Sequence, residues 1–364
     1  MIERTINIIT PRLSPFKTCV MGNEGIVRAA IEAGVDGVFS YPGTPSTEIS
    51  EIFSHINTFQ TTTDNKLKYP ELTKHPIYFE YSINEKIALE KAIAFSIGNK
   101  SAMCVMKNVG MNVASDPLMS VTYQTIVAPL VIVVCDDPGC HSSSNEQDSR
   151  YWGPMASVPV LNPATPDDAF KMIKQAFELS GAIKLPVIVR TTTRVSHTRG
   201  IVTYGNISSE NRPAKFDRLP EHINIPARTA VAHARLLDKL KSKSVLSLLN
   251  KNSKILIKGR QSKFGIISSG VATAYAKEIL HHNSFSKKIS LLDLGMIHPF
   301  PEKKVLNFLR KGFKKILILE ELDAFVENAV RIIAQRNKLT FKIFGKGFSA
   351  LTPTGEFSID IVTK

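Results

Sequence analysis

The feature that most restricts the fold is a series of short apolar segments, each leading directly into a polar loop, several of which carry Gly or Pro. Leu130–Cys135 (LVIVVC) shows it best, running straight into Asp136-Asp137-Pro138-Gly139. A strand without polar alternation must be covered on both faces, the condition of a central strand in a parallel sheet. Segments 37–41, 77–80, 102–106 and 186–190 repeat the pattern. Helical periodicity fills the intervals. Asn23 is the expected N-cap of a helix with Ile26, Ala29, Ala30 and Ala33 on one face and Gly34 as its stop. A second helix starts at about Ser46 and carries Ile49, Ile52, Phe53 and Ile56; a third spans 84–97 with Ile87, Ala88, Lys91 and Phe95; a fourth spans 167–179. Alternating strands and helices predict an α/β fold with a parallel sheet.

The chain of 364 residues is too long for one ordinary core, so two α/β domains are expected. The Thr-rich stretch 58–74 reads as an exposed connection, and the polar stretch 200–225, with Pro213 and Pro220 and with Pro226 just after it, as a crossover. A second α/β unit begins near Lys254, with strands at 264–267, 289–294, 316–319 and 341–344 and helices at 272–280, 302–309 and 325–336. Apolar residues at 43% and charged residues at 21% fit a globular protein. No segment approaches the roughly 20 apolar residues that cross a bilayer. The N-terminal stretch, with Glu3, Arg4, Pro11, Arg12 and Lys17, lacks a signal-peptide core. A cytoplasmic protein without membrane contact is expected.

Net charge is +14, and Lys239, Lys241, Lys243, Lys251, Lys254, Lys258, Arg260 and Lys263 cluster together. That stretch has no aromatic residue, so it reads as a solvated face and linker rather than a nucleic-acid surface. Cys19, Cys104, Cys135 and Cys140 show no ligand spacing, which points to reduced thiols and excludes an ordinary four-cysteine iron–sulfur cluster. No phosphate loop, HExxH, GxSxG or metal-spaced His pair occurs; the GxGxxA match from Gly345 to Ala350 has no long helix after it and reads as chance.

Chemistry is therefore expected in the loops at the C-terminal ends of the first-half strands, where open α/β sheets bind ligands. These are Tyr41-Pro42-Gly43-Thr44-Pro45-Ser46, Glu80 to Glu85, Met106-Lys107-Asn108-Val109-Gly110-Met111-Asn112 and Asp136 to Arg150. Glu85, at a helix start, is explained by the helix dipole as readily as by catalysis. Thr44 reads equally as a turn hydroxyl, and Lys107 as an anion binder or a surface lysine.

In order along the chain, GNEGIVRAAIEAGV (22–35), YPGTPSTEI (41–49), NEKIALE (84–90), MKNVGMNVASDPLMS (106–120), DDPGCHSSSNEQDSR (136–150), LDLGMIHPFPEK (292–303) and ILEELDAFVE (318–327) resemble the α subunits of indolepyruvate ferredoxin oxidoreductases, within the 2-oxoacid oxidoreductase family. The resemblance covers nearly the whole chain from about residue 19. It implies a thiamine-diphosphate pyrimidine-binding domain over 1–245, with a crossover at about 200–245, and a smaller transketolase-C-terminal-like α/β domain over 254–364. It implies that Glu85 is the cofactor-activating carboxylate. A hydrogen bond to ring nitrogen N1′ favours the imino tautomer, whose exocyclic nitrogen can remove the thiazolium C2 proton. Tyr41, Pro42, Gly43, Lys107, Asn108, Val109 and Gly110 would bind the cofactor, and Thr44 and Asn112 the substrate, an aryl 2-oxo acid such as indolepyruvate, with coenzyme A and ferredoxin completing the oxidation.

Two departures accompany the likeness. Asn108 stands where the family usually has His, so a neutral amide replaces a titrating group. The sequence to Lys364 also shows no Gly-Asp-Gly motif and no cysteine-rich tail. No metal ligand is expected on this chain. The resemblance then implies that a partner chain supplies the pyrophosphate-binding domain, Mg2+ and Fe–S clusters, with a γ/β-type subunit completing a hetero-oligomer. The alternative is a non-catalytic structural or regulatory subunit that retains the fold.

Overall fold

The computed structural model describes residues 2–10, 15–68, 70–208, 210, 212–259, 262–282 and 288–364. Pro11, Arg12 and Arg260, named above, lie outside them.

Seven strands form the first sheet, in the order Met296–His298, Val160–Leu161, Val187–Thr192, Leu130–Asp136, Ala102–Lys107, Gly37–Ser40, Tyr78–Tyr81. All pairings are parallel except that of Met296–His298 with Val160–Leu161. Alternation along each strand divides the core between the two faces. Val131, Val133, Val187 and Val189 point to one side, against helices Gly22–Glu32, Thr47–Thr61 and Pro166–Ile183. Ile132, Val134, Cys104 and Met106 point to the other, against helices Glu85–Ile97 and Gly110–Val121. Every residue of Leu130–Asp136 is buried, which is why that run needed no polar alternation.

Five strands form the second sheet, in the order Lys342–Phe344, Lys315–Leu319, Phe264–Ser268, Ile289–Leu294, Ser253–Ile257; only the last pairs antiparallel. Its side chains Ile267, Leu292, Ile316 and Ile318, with Val305, Phe308 and Val326 from its helices, join the cluster that covers the second face of the first sheet. The short strand Met296–His298 crosses over to edge that sheet.

Several expectations need correction. Arg199–Tyr204 is no open crossover but a strand paired antiparallel with Phe16–Met21, fastening the start of the chain to its middle. Stretch 58–74 is exposed yet largely helical: Thr47–Thr61 continues through it, followed by Thr63–Lys68 and Pro70–Thr73. Thr58, Thr61 and Thr62 hydroxyls bond carbonyls of the preceding turn, so threonines that suggested a loop are accommodated in the helix. The basic stretch is a solvated face, as expected, but not an unstructured linker: Lys239 ends helix Pro226–Lys239, Lys243–Lys251 is an amphipathic helix capped by Ser242 with Val245, Leu248 and Leu249 buried, and Lys254 lies in strand Ser253–Ile257. Asn23 is not an N-cap. The helix starts at Gly22, and the Glu24 carboxylate accepts the Met21 N–H at 2.6 Å.

Candidate functional site

In the first sheet the chain passes from Gly37–Ser40 outward to Tyr78–Tyr81, then back across to Ala102–Lys107. The crevice between these oppositely directed connections is where ligands lie in open parallel sheets. The loops after four neighbouring strands meet there, and two glycines allow them to touch. A Cβ on Gly43 would lie 2.5 Å from Lys107 Cδ, so the Lys107 stem lies across the Gly43 backbone. A Cβ on Gly110 would lie 2.5 Å from both Cγ and Oε1 of Glu85.

Glu85 opens its helix, with Asn84 as N-cap accepting the Ile87 N–H at 2.9 Å. The cap is thus supplied by Asn84, leaving the Glu85 carboxylate unneeded for it. Glu85 as a residue is only 8% exposed, and among the described residues its carboxylate makes no hydrogen bond or ion pair. Its oxygens are not among the atoms sealed from solvent, so the carboxylate faces the crevice with its lone pairs open to a ligand. Asn108 is fully buried, with neither amide atom hydrogen-bonded among the described residues. Only its backbone is tied, the N–H to Cys135 O at 3.0 Å and the carbonyl by Met111 N–H at 3.1 Å.

The turn 41–46 is fixed by its carbonyls. Ser46 donates its N–H (2.9 Å) and its hydroxyl (2.7 Å) to Gly43 O; Ser142 donates to Thr44 O at 2.9 Å; the Asn23 amide donates to Pro45 O at 2.9 Å. The Thr44–Pro45 peptide is cis. Tyr41, Pro42 and Thr44 remain exposed, and the Thr44 hydroxyl lies 3.2 Å from that of Thr47. Lys107 Nζ donates to Ser142 O at 2.9 Å. Val109 is half-buried, and the exposed Asn112 accepts from Gln147 at 3.3 Å. Loop 136–150 therefore closes over both other loops.

Its root is ionic. Burial pushes the Asp136 carboxyl up against the pull of the Arg190 guanidinium at 2.7 Å. Burial would also raise Asp137, but donors Ser142, Ser143 and Thr193 outweigh it and hold that carboxyl below its usual range. The thiols beneath the loops are not nucleophiles: burial raises both Cys104 and Cys135, the latter to about 12. Cys19 and Cys140 are exposed. Gly345 to Ala350 forms turns, with no helix following before Ile359.

Sequence reading brought together Tyr41, Pro42, Gly43, Thr44, Glu85, Lys107, Asn108, Val109, Gly110 and Asn112, and all lie on these converging loops. It missed the anchors Asn23, Glu48, Ser142 and His197. Asn23 carried a signal misread as capping, whereas His197 stands far along the chain with no local motif.

A Gly110→Ala change should separate site from scaffold. The obstructed atoms end a flexible side chain, so Glu85 swings aside and the fold holds, with stability changed by about 1 kcal/mol or less by thermal unfolding. Turnover should fall roughly 100-fold, the scale of a 1 Å misplacement. Undiminished turnover would show that the Glu85 position is uncritical.

No family model matches the chain. Indolepyruvate oxidoreductase subunit IorA of Methanothermobacter thermautotrophicus is 37% identical over 96% of this chain and 54% of its own length. The chain thus spans about half the length of the curated relatives it matches. Among solved structures, 2-oxoglutarate:ferredoxin oxidoreductase from Magnetococcus marinus, with 2-oxoglutarate, coenzyme A and succinyl-CoA bound, superposes with a TM-score of 0.70 at 16% identity, covering 97% of this chain and 65% of that one. An inactive β4 tetramer of a split-gene transketolase shares the fold at a TM-score of 0.50 and 14% identity, covering 89% and 88% of the respective chains. Along 95–96% of its length the chain is thus homologous in sequence, at 37–38% identity, to part of the IorA indolepyruvate oxidoreductase subunits, and it shares the fold of a 2-oxoacid:ferredoxin oxidoreductase.

Proposed function

We propose that this chain supplies the pyrimidine-binding part of a thiamine-diphosphate-dependent oxidoreductase that oxidatively decarboxylates an aryl 2-oxo acid, indolepyruvate above all, with coenzyme A and ferredoxin. The observation that carries this reading is the unpartnered carboxylate of Glu85 at the crevice where four loops converge. The helix dipole alone favours a carboxylate here, but it does not account for the room that Gly110 leaves for the side chain to point inward.

Thiamine diphosphate, when bound, supplies an electron sink beside the keto carbon. Glu85 would hold the hydrogen bond at pyrimidine nitrogen N1′, with Gly110 giving it the room to point inward. The unpaired Asn108 amide fits a polar ligand edge or an ordered water in the same way. Exposed Thr44 and Asn112 would hydrogen-bond the substrate carboxylate, with the nearby Lys107 ammonium supplying opposite charge. Tyr41, Pro42, Gly43 and Val109 form the walls that exclude water.

Among the described residues no group of three or more His, Cys, Asp or Glu could hold a metal ion. The diphosphate and Mg2+ are assigned to a pyrophosphate-binding domain of a partner chain, which also carries the Fe–S clusters beside a γ/β-type subunit. Tyr41, Tyr81, Ile83 and Val113, exposed on the same loops and helix ends, offer that domain an apolar contact. Among the described residues no helix is long and apolar enough to cross a membrane; we place the complex in the cytoplasm. The domain division proposed is 1–245, with the crossover following the strand Arg199–Tyr204, and 254–364.

The test is the complex purified from its native source and assayed with a redox dye. Indolepyruvate or phenylpyruvate should reduce the dye in a coenzyme A-dependent way, faster than 2-oxoglutarate. Absence of reduction by every 2-oxo acid, with the cofactor and Mg2+ present, removes the reading. By calorimetry the isolated chain should bind thiamine diphosphate about 100-fold or more weakly than the complex does, because the diphosphate's charge-assisted contacts are missing. Tight, Mg2+-dependent binding by the chain alone would contradict the division of labour.

A further inference from the structure

Behind the turn 41–46, on the side away from Glu85, three polar side chains form a line. Asn23 is fully buried near the start of helix Gly22–Glu32. Its amide nitrogen donates twice, to Pro45 O at 2.9 Å and to Glu48 Oε2 at 2.7 Å. Glu48, in the first turn of helix Thr47–Thr61, lies with the same oxygen 3.4 Å from His197 Nε2. Asn23 Oδ1 has no partner among the described residues. The amide orientation is not arbitrary, because turning it over would aim its oxygen at two acceptors. A buried acceptor left unsatisfied costs stability, so the residue is retained for what its two donors hold.

Those donors hold the back of the substrate turn. Pro45 has no N–H to donate within the turn. Ser46 bonds Gly43 O and Ile49 N–H bonds Ser46 O at 3.1 Å, while the carbonyls between them are held from distant segments: Ser142 on Thr44 O and Asn23 on Pro45 O. Helix Thr193–His197 is pressed against the same place, since a Cβ on Gly22 would lie 1.9 Å from Val195 O.

We infer that Asn23, Glu48 and His197 form a tether that positions the Thr44 turn against the substrate, with Asn23 as its fixed end and the His197–Glu48 contact as its adjustable end. This rests on the function proposed above and adds positioning residues to it; none of the three is catalytic. The Asn23 end binds by hydrogen bonds alone. At the other end the Glu48 carboxylate, 3.4 Å away, raises the His197 imidazole above its ordinary value against the opposing effect of burial. Glu48 and Asp137 are the charged groups that act on it. The pair is therefore ionic at low pH and loosens as pH rises through the raised value.

Hydrogen exchange of the segment 41–48, read by mass spectrometry on the intact chain, tests this without turnover. Asn23→Asp keeps the shape and removes the donors, so it should speed exchange there about 10-fold while helix Glu85–Ile97 exchanges as before. Asn23→Leu should do the same. Wild-type exchange in this segment by Asn23→Asp would overturn the tether, because a packing role alone survives that change. Should the Asn23 variants not fold, His197→Gln, at a part-exposed position, decides. Wild-type exchange in the segment, corrected for intrinsic rates, should rise as pH is raised through the His197 titration, and the variant should be fast throughout. A variant that keeps the wild-type dependence sinks the proposal. In the complex, the same changes should raise KM for the 2-oxo acid about 10-fold with thiamine diphosphate affinity unchanged, the split expected of a misplaced substrate group. If the wild-type complex oxidises no 2-oxo acid, the functional reading fails while the exchange result still decides the tether.

Discussion

Replacing Glu85 by Gln in the assembled complex is expected to lower 2-oxo acid oxidation by on the order of 100-fold or more, the range for loss of an acid–base partner. The same change should leave the melting temperature nearly unchanged. The two outcomes follow from one observation. Glu85 is 8% exposed as a residue, and its carboxylate has no hydrogen-bonding or ionic partner among the described residues. Gln fills the same space beside Gly110 and gives up only the small helix-dipole contribution of the charge, so the fold loses little by it. In the proposed site the pyrimidine nitrogen would, in contrast, lose its carboxylate hydrogen-bond partner. A structural carboxylate behaves the other way: removing it destabilises and leaves turnover alone. Turnover and thermal unfolding measured together on Glu85→Gln therefore separate the catalytic from the structural role. Loss of stability with undiminished activity would end the enzymatic reading.

Why the sequence disclosed Glu85 but not its surroundings is a matter of range. Apolar runs such as Leu130–Asp136 and helical stripes such as Phe325–Arg336 are set by local burial, so their positions could be read to within a residue or two. Antiparallel partners 180 residues apart leave no such trace. Phe16–Met21 with Arg199–Tyr204 has intermediate and exposed positions at irregular intervals, and its pairing is fixed by the fold. Short edges like Met296–His298 are invisible for the same reason. In the site, loops with Gly and Pro next to strand ends mark themselves. The side chains that hold those loops do not, because each comes from another segment: Ser142 to Thr44, His197 to Glu48. Asn23 shows the limit most clearly. Its type and place near a helix start fit a cap, and only the fold reveals that it reaches Pro45 instead.

The largest expected effect on stability lies at Arg150. Its guanidinium is 1% exposed and joins the loop closing the site to the second sheet. Nε and Nη2 bind Asp148 at 2.5–3.0 Å, Nη1 binds Glu320 at 2.5 Å, and Nη2 also donates to the carbonyls of Glu321 (2.8 Å) and Asp323 (2.9 Å). Arg150→Met keeps much of the packing against Phe325 but strands two buried carboxylates. A destabilisation of about 3–5 kcal/mol at pH 7, read from urea unfolding, is expected. The pH dependence identifies the cause. Burial works to raise Asp148, but Arg150 overcomes it and holds the carboxyl below its usual range. A depressed carboxyl stabilises the fold above its unfolded value of about 3.9 and stops doing so as pH falls through the folded one. In the variant the stranded carboxyls protonate more readily when folded, so lowering pH relieves them before the native network begins to weaken. The gap between the two proteins should therefore narrow from pH 7 toward pH 4. A gap that stays constant over that range would assign the loss to packing rather than to charge. Because Ser142 of the same loop bonds Thr44 O, the variant should also lose turnover in the complex at a temperature where it remains folded.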